Sequence, residues 1–466
     1  MTQVDRYERA DVARVDTTTS RAGLGRVRAE TVGMVSLLIA LFGPALAYAD
    51  GWAGGHSIFK FFLLALGGAG ALACAPWLKM RRAEKTRLGR ALTISVIAYV
   101  GWVGLAALFS EQTLLGITGA RPYWDGFVAA LAAGGCFAFA FHMADGKAPV
   151  LRRWLSHGAA WTAIVLAVVA LAAWMGLPGT ADMIKAGRLG SAIGQPTFLG
   201  LYFSMWLPWL LHASRTARSA ADHADDAETA RRASRSFALF LAASVAAVAL
   251  LVASQSRAAV VAGVVGVSLY AALSAKSSAA RRKRLAAAAV LVLLAALLAV
   301  GLRDPEFIET GPAELASRFV ASGRGVAWEA AAKATAADPL LGSGPGTFEY
   351  AHAANMTPEL FAVEEGTRLL DAHNWYLTAS ATAGVPAAIA ALAIAVLCVL
   401  GAVRSRGRPS FRLAACSGAV ACAAGAVLTP NGFVTLPAML VLATVGVTFT
   451  RAADASGAGD AGAPSE

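Results

Sequence analysis

The sequence predicts an all-α polytopic membrane protein: about twelve transmembrane helices, both termini cytoplasmic, and one long extracytoplasmic loop with short helices. Three observations predict it. Hydrophobic residues make up 57% of the 466 and charged residues only 15%, with a mean hydropathy of +0.58. A soluble chain carries about 25% charged residues, so the deficit identifies lipid as the solvent. Apolar runs of about 20 residues, the length that crosses a bilayer, recur along the chain. Basic residues gather on alternate connections between those runs.

In order, the expected spans are 31–50, 57–78, 90–110, 124–144, 154–176, 196–213, 236–253, 258–275, 285–302, 374–400, 410–429 and 432–450. With the N-terminus inside, 30 of the 40 basic residues fall on inside segments, among them the run at 281–284. The opposite orientation inverts that ratio against the positive-inside rule. The expected organisation is a cytoplasmic tail over 1–30 and nine helices within 31–302. An extracytoplasmic loop over 303–373, three helices within 374–450 and a disordered Gly/Ala/Ser tail over 451–466 complete it. Within the loop, helices are expected at 313–319 and 324–337, then a Gly/Pro turn at 342–346. The first run is long enough to be a retained helix and not a cleaved leader. The Ala/Gly-rich, Arg-over-Lys composition reads as a GC-rich bacterial coding sequence, so the membrane expected is a bacterial inner membrane, with the active site facing outwards.

Composition also excludes functions. The five cysteines, Cys74, Cys136, Cys398, Cys416 and Cys422, sit in apolar runs without CxxC or Cys/His spacing, so they read as small buried hydrophobes and no metal is expected. The net charge of +11 is that of basic loops facing anionic lipid, not of a nucleic-acid binder. Lys60, Asp125, His142 and His157 are exceptions to spans almost free of ionisable groups, each near a helix end, where snorkelling explains them. A transporter places such groups at mid-depth.

The outside surface carries the candidate chemistry. Arg121 lies in Thr-Gly-Ala-Arg-Pro-Tyr-Trp-Asp-Gly, Arg188 in Gly-Arg-Leu-Gly-Ser-Ala-Ile-Gly-Gln-Pro, Arg257 in Ser-Gln-Ser-Arg-Ala-Ala, and Arg324 in Gly-Arg-Gly-Val-Ala-Trp. A guanidinium matches two phosphate oxygens at once, so several arginines here suit a lipid-linked diphosphate. A lone arginine at this depth more often anchors to headgroups; Arg257 is the exception, because so tight a turn rarely needs a charge. His373, in Asp-Ala-His-Asn-Trp-Tyr-Leu, can take a proton from an attacking hydroxyl, although taken alone it reads sooner as an interfacial histidine. His56 and His352 are the other outside histidines. The stretch 340–348 lacks the Gly-Lys-Ser/Thr of a phosphate loop and reads as a turn.

Five segments in order, Arg188 to Pro196, Ser256 to Ala259, Gly323 to Trp328, Pro339 to Phe348 and His373 to Leu377, resemble the O-antigen ligase family. That superfamily also holds O-antigen polymerases and protein O-oligosaccharyltransferases. The resemblance covers roughly residues 100–400. It departs at Ala259, where a glycine is common. It implies en bloc transfer of a glycan from undecaprenyl diphosphate to an extracytoplasmic acceptor such as lipid A core, without metal, cofactor or nucleotide sugar. Arg257 and Arg324 would hold the diphosphate, His373 would activate the acceptor, and Arg188, Arg121 and Asn374 would contact substrate. The partners expected are the lipid-linked donor, a glycan, lipid or protein acceptor and membrane lipids, with no nucleic acid. Polymerase or protein glycosyltransferase activity are alternatives within the family, and a lipid-linked glycan flippase is the alternative outside it.

Overall fold

In the computed structural model the described residues are 28–48, 55–75, 86–120, 123–144, 147–185, 187–301, 324–354, 369–407, 409–430, 432 and 434–448. The tails, the expected helix at 313–319, the polar run 355–368, Arg121 and the side chain of His56 lie outside them.

A helix covers each of the twelve expected segments. They are α1 (Arg28–Leu46), α2 (Gly55–Cys74), α3 (Arg87–Phe109), α5 (Phe127–Ala144), α6 (Ala148–Trp174), α7 (Pro196–Asp222), α8 (Ala227–Ala253), α9 (Arg257–Leu273), α10 (Ser278–Gly301), α13 (Trp375–Arg404), α14 (Phe411–Gly425) and α15 (Thr435–Thr448). Among the described residues three shorter α-helices lie between them: α4 (Thr113–Thr118), α11 (Arg324–Ala337) and α12 (Phe348–Ala354). Among the described residues six helices, α1, α3, α5, α6, α8 and α13, are long and apolar enough to cross a membrane; α9, α14, α15 and most of α2 are shorter apolar helices. Isoleucines and valines at mid-helix, such as Ile94 at 68% and Val245 at 63%, face outwards. So much exposed apolar surface needs lipid to cover it. The protein is a multi-pass membrane protein.

The segment 215–235, expected as a loop, is instead mostly helical. α7 continues to Asp222, and α8 starts at Ala227, where Asp226 caps the Thr229 N–H at 2.8 Å. Alanine and arginine are good helix formers, so the helices continue beyond the apolar runs.

The core is built around α7, whose Tyr202, Phe203, Trp206 and Trp209 are fully buried. It packs against α6, α8, α9 and α14. Its polar ring atoms find partners inside the bundle: Tyr202 Oη donates to Leu41 O at 3.1 Å and Trp209 Nε1 to Ser156 Oγ at 3.0 Å. Small residues let the other helices approach closely, as membrane helices require without a hydrophobic drive between them. A Cβ on Gly418 would stand 2.1 Å from Met205 O.

Helix α13 bends at Gly384 (φ 81°), two residues before Pro386. A Cβ there would stand 1.9 Å from Leu340 O, so only glycine fits. This bend receives the turn at 342–346. Ser343 N–H donates to Ala381 O at 3.0 Å, Gly344 N–H to Thr382 O at 2.8 Å, and Val385 N–H to Pro339 O at 2.8 Å. The Gly-Pro-Gly stretch therefore clamps α11 to α13, the turn-shaping job read from the sequence.

Candidate functional site

The described site residues, Arg188, Arg257, Arg324, His373 and Asn374, sit at one end of the bundle, and the register between elements fixes which end. Thr335 Oγ1 meets Ser380 Oγ at 3.0 Å, and Val385 reaches Pro339, so α11 runs parallel to the start of α13. Trp328 and Leu369 both pack on the small cluster formed by Ala331, Ala334, Phe348, Ala351, Ala372 and Ala381. Arg324, one helical turn before Trp328, therefore lies at the end of α13 where His373 stands. At the same end, Trp375 N–H donates to Ala426 O at 2.8 Å, at the C-terminus of α14. α9 runs antiparallel to α14: a Cβ on Gly266 would meet Ala421, and one on Gly425 would meet Ala262. This places the first residue of α9, Arg257, at the His373 end as well.

His373 is held by a carboxylate. Its backbone N–H donates to Asp371 Oδ1 at 2.6 Å, and its Nδ1 lies 3.1 Å from the same oxygen. Asp371 is 2% exposed, whereas the imidazole is 41% exposed. An ionised carboxylate only accepts, so Nδ1 carries the hydrogen and Nε2 keeps the lone pair. Tyr123 hydrogen-bonds to Asp371 from the other side. Burial, then the charges of Asp371 and Asp125, push the Tyr123 phenol well above its ordinary range. Asn374 caps α13, its Oδ1 accepting from the Tyr376 and Leu377 N–H groups at 3.0 and 3.1 Å. The cap fixes where the helix starts, and with it the position of His373.

The arginine side is organised by Arg188, which lies in a two-residue antiparallel ribbon, β1 (Ile184–Lys185) with β2 (Arg188–Leu189). Its Nε donates to Ser254 O at 3.3 Å. It thus holds the turn that delivers Arg257, whose helix is capped by Ser256. Arg188 and the Arg257 turn are brought together directly. They connect to the histidine side through Phe198, at the start of α7, whose ring meets Tyr123 edge-on at 5.7 Å.

Backbone strain marks the same places. Among the described residues the non-glycine positive-φ positions are Trp124 (47°), Ser191 (48°), Gln255 (48°) and His373 (49°). They fall beside Asp125, Arg188 and Arg257, and on the histidine itself. Such positions cost about 1–3 kcal/mol each and cluster where function holds the chain in place.

Two expectations for groups near helix ends are corrected. Lys60 does not snorkel: it is fully buried, and its Nζ donates to Ala192 O under the 190–194 loop. Asp125 does not lie in α5, which starts at Phe127. It belongs to the preceding loop, with Oδ1 shut off from solvent and without a hydrogen-bond partner. It lines a cavity of about 60 Å³ with Tyr99, Trp375, Thr378 and Thr382. Burial, reinforced by the charge of Asp371, pushes its carboxyl up to about 6 against the pull of the Asp125 and Ala120 backbone N–H groups. His142 and His157 fit the simple reading, each with Nδ1 on the carbonyl one turn back, at 2.7 and 2.9 Å.

The raised Asp125 value has a stability consequence. The folded state holds this proton more tightly than the unfolded chain, so stability is gained as pH falls through about 6 towards the ordinary carboxyl range. Asp125→Asn, which cannot ionise, is expected to be more stable than wild type at pH 7.5, by up to about 3 kcal/mol. The advantage should vanish near pH 4 in thermal unfolding scans. A pH-independent difference would mean that the carboxyl does not titrate in the folded protein.

Asp371, Tyr123 and Asp125 were not assigned functional roles by the sequence reading. The available hint was spacing: Asp371 stands two residues before His373, and Tyr-Trp-Asp closes the loop that carries Arg121.

The helices thus bring a histidine–aspartate pair and arginines to one end of a membrane bundle. Residues 242–392 match the O-antigen ligase family model. The match runs from α8 through Arg257 and Arg324 to His373 and the bend of α13. Over this stretch the chain is similar to the O-antigen ligase family, which supports membrane glycosyl transfer of the ligase or polymerase type in general. No curated protein matches the chain.

Proposed function

We propose that this protein transfers a glycan en bloc from undecaprenyl diphosphate to an extracytoplasmic acceptor of the lipid A core kind. The reading uses twelve spans with both termini cytoplasmic, which sets the loop 303–373 and the site on the periplasmic face of the inner membrane. The observation that carries it is the His373–Asp371 pair at the bundle end to which Arg257 and Arg324 lead.

The acceptor hydroxyl gives its proton to His373 Nε2 as its oxygen attacks the anomeric carbon. The bond from that carbon to the diphosphate oxygen breaks, and the diphosphate leaves with the electron pair. Asp371 stabilises the imidazolium that forms. Arg257 and Arg324 open α9 and α11, where the helix dipole disfavours a cation, so an anion at these positions relieves both arginines. Because charge on the diphosphate grows as the bond breaks, the arginines stabilise the transition state more than the ground state. No metal is needed in this scheme. Attack from the face opposite the diphosphate inverts the anomeric centre, and a retained product would refute that step.

The test is a reconstitution of the full chain with undecaprenyl-diphosphate-linked glycan. Lipid A core, a second lipid-linked glycan and an exported protein serve as separate acceptors. Transfer to lipid A core supports ligase activity. Transfer only to lipid-linked glycan or only to protein moves the assignment to polymerase or protein glycosyltransferase. No transfer to any of the three overturns the proposal.

A further inference from the structure

The end of the bundle away from His373 carries a second cavity, which glycan transfer does not use. On α14, Ala426 meets Trp375 at the site end, and Phe411 starts the helix at the other, about 20 Å away by helix rise. Beside Phe411, between α6, α7 and α8, lies a cavity of about 300 Å³. Arg152, Arg153, Arg232 and His157 line it, with hydroxyls from Ser156, Thr216, Thr229 and Ser236, and none of its lining residues is acidic. Glu228, one turn before Arg232, pairs with that arginine, and both side chains are largely exposed. The floor is apolar. Arg152 Cζ stands 4.9 Å over the Phe411 ring, and His157 meets Phe240 edge-on at 5.4 Å.

The surroundings say which phosphate fits. Trp154 and Trp161 on α6 are 49% and 54% exposed, and Leu241, Val245 and Val248 on α8 face outwards next to them. Indoles at this level mark a membrane interface, and an apolar flank beside a basic recess accommodates acyl chains. We infer that the α6–α7–α8 cavity binds the phosphate headgroup of an anionic phospholipid at the membrane face opposite the glycan site, its acyl chains lying along α6 and α8. Guanidinium forks pair with the phosphate oxygens, and Ser156, whose Oγ accepts from Trp209 Nε1, has its O–H left to donate. The lipid then acts as a wedge that fixes the α7–α8 hairpin against α6.

Full-length protein would be placed in vesicles of equal phosphatidylcholine and cardiolipin, then examined by native mass spectrometry for retained lipid. Wild type is expected to retain cardiolipin over phosphatidylcholine. Arg152→Gln/Arg153→Gln should lower that retention about tenfold or more, as expected for losing two basic contacts at an anionic surface. Ala217→Trp, which fills the cavity without removing charge, should lower it comparably. Arg281→Gln/Arg282→Gln, which removes two arginines from α10, should leave it unchanged. Wild type with no preference for cardiolipin overturns the inference whatever the variants do. So does an equal loss in the α10 variant, which would mean diffuse surface charge. Inorganic phosphate in detergent raising the unfolding temperature as much as cardiolipin would make the ligand free phosphate and not a lipid.

Discussion

His373→Asn is expected to lower glycan transfer by about 10²- to 10⁴-fold, the usual worth of a positioned general base. Asparagine is chosen because the backbone at this position is left-handed (φ 49°), a conformation asparagine tolerates well. The variant therefore removes the imidazole with little cost to the fold, and unfolding scans should coincide with wild type. Asp371→Asn probes the other half of the pair. Its amide can still accept one hydrogen bond, but it no longer neutralises the imidazolium that forms during attack. It is expected to slow transfer about 10²-fold or more. It should also move the acidic limb of the pH–rate profile to lower pH, since a histidine without its carboxylate loses its proton more easily. A purely structural Asp371 would lower the amount of folded enzyme without moving the profile. Full activity in His373→Asn would assign the base to another group, and the pair would then be only a cap for α13.

What could be read from the sequence follows from the physics that wrote each part. The apolar helices were legible because lipid imposes length and polarity on crossing segments; a helix overlaps each expected segment, and six are long and apolar enough to cross. α11 was predicted over 324–337 and occupies Arg324–Ala337, because its alanines favour helix. The turn at 342–346 announced itself by three glycines, and all three adopt positive φ. Asp371 was not recognised as the partner of His373. Asp371 accepts from the backbone N–H two residues on, a turn that aspartate makes in many settings, so its presence in the sequence did not single out a histidine partner. Tyr123 and Asp125 were missed for a different reason. They come within reach of Asp371 through packing of residues more than 240 positions apart, which no local pattern records. Asn374, grouped with the substrate contacts, sits where a helix cap is needed, and the cap occupies its oxygen.

Replacing Arg257 or Arg324 by alanine is expected to cost about 10²- to 10³-fold, the usual loss when one preorganised donor to a developing charge is removed. The loss should fall on kcat more than on KM, because diphosphate charge is greatest after the glycosidic bond has stretched. Lysine is the discriminating substitution. It restores the positive charge but presents a single ammonium in place of a planar fork, so it should recover little of the rate at a bidentate site. Arg188→Ala serves as the comparison. Its Nε supports the Ser254 carbonyl, and with it the turn before Arg257, so its effect should pass through Arg257. The double variant with Arg257→Ala should then be scarcely slower than Arg257→Ala alone, a coupling that independent sites do not show. If lysine restores the rate at both positions, a diffuse positive potential is enough and no paired contact with phosphate oxygens is required. A rise confined to KM would place both arginines in ground-state binding, and the stabilisation of the leaving diphosphate would have to come from other groups.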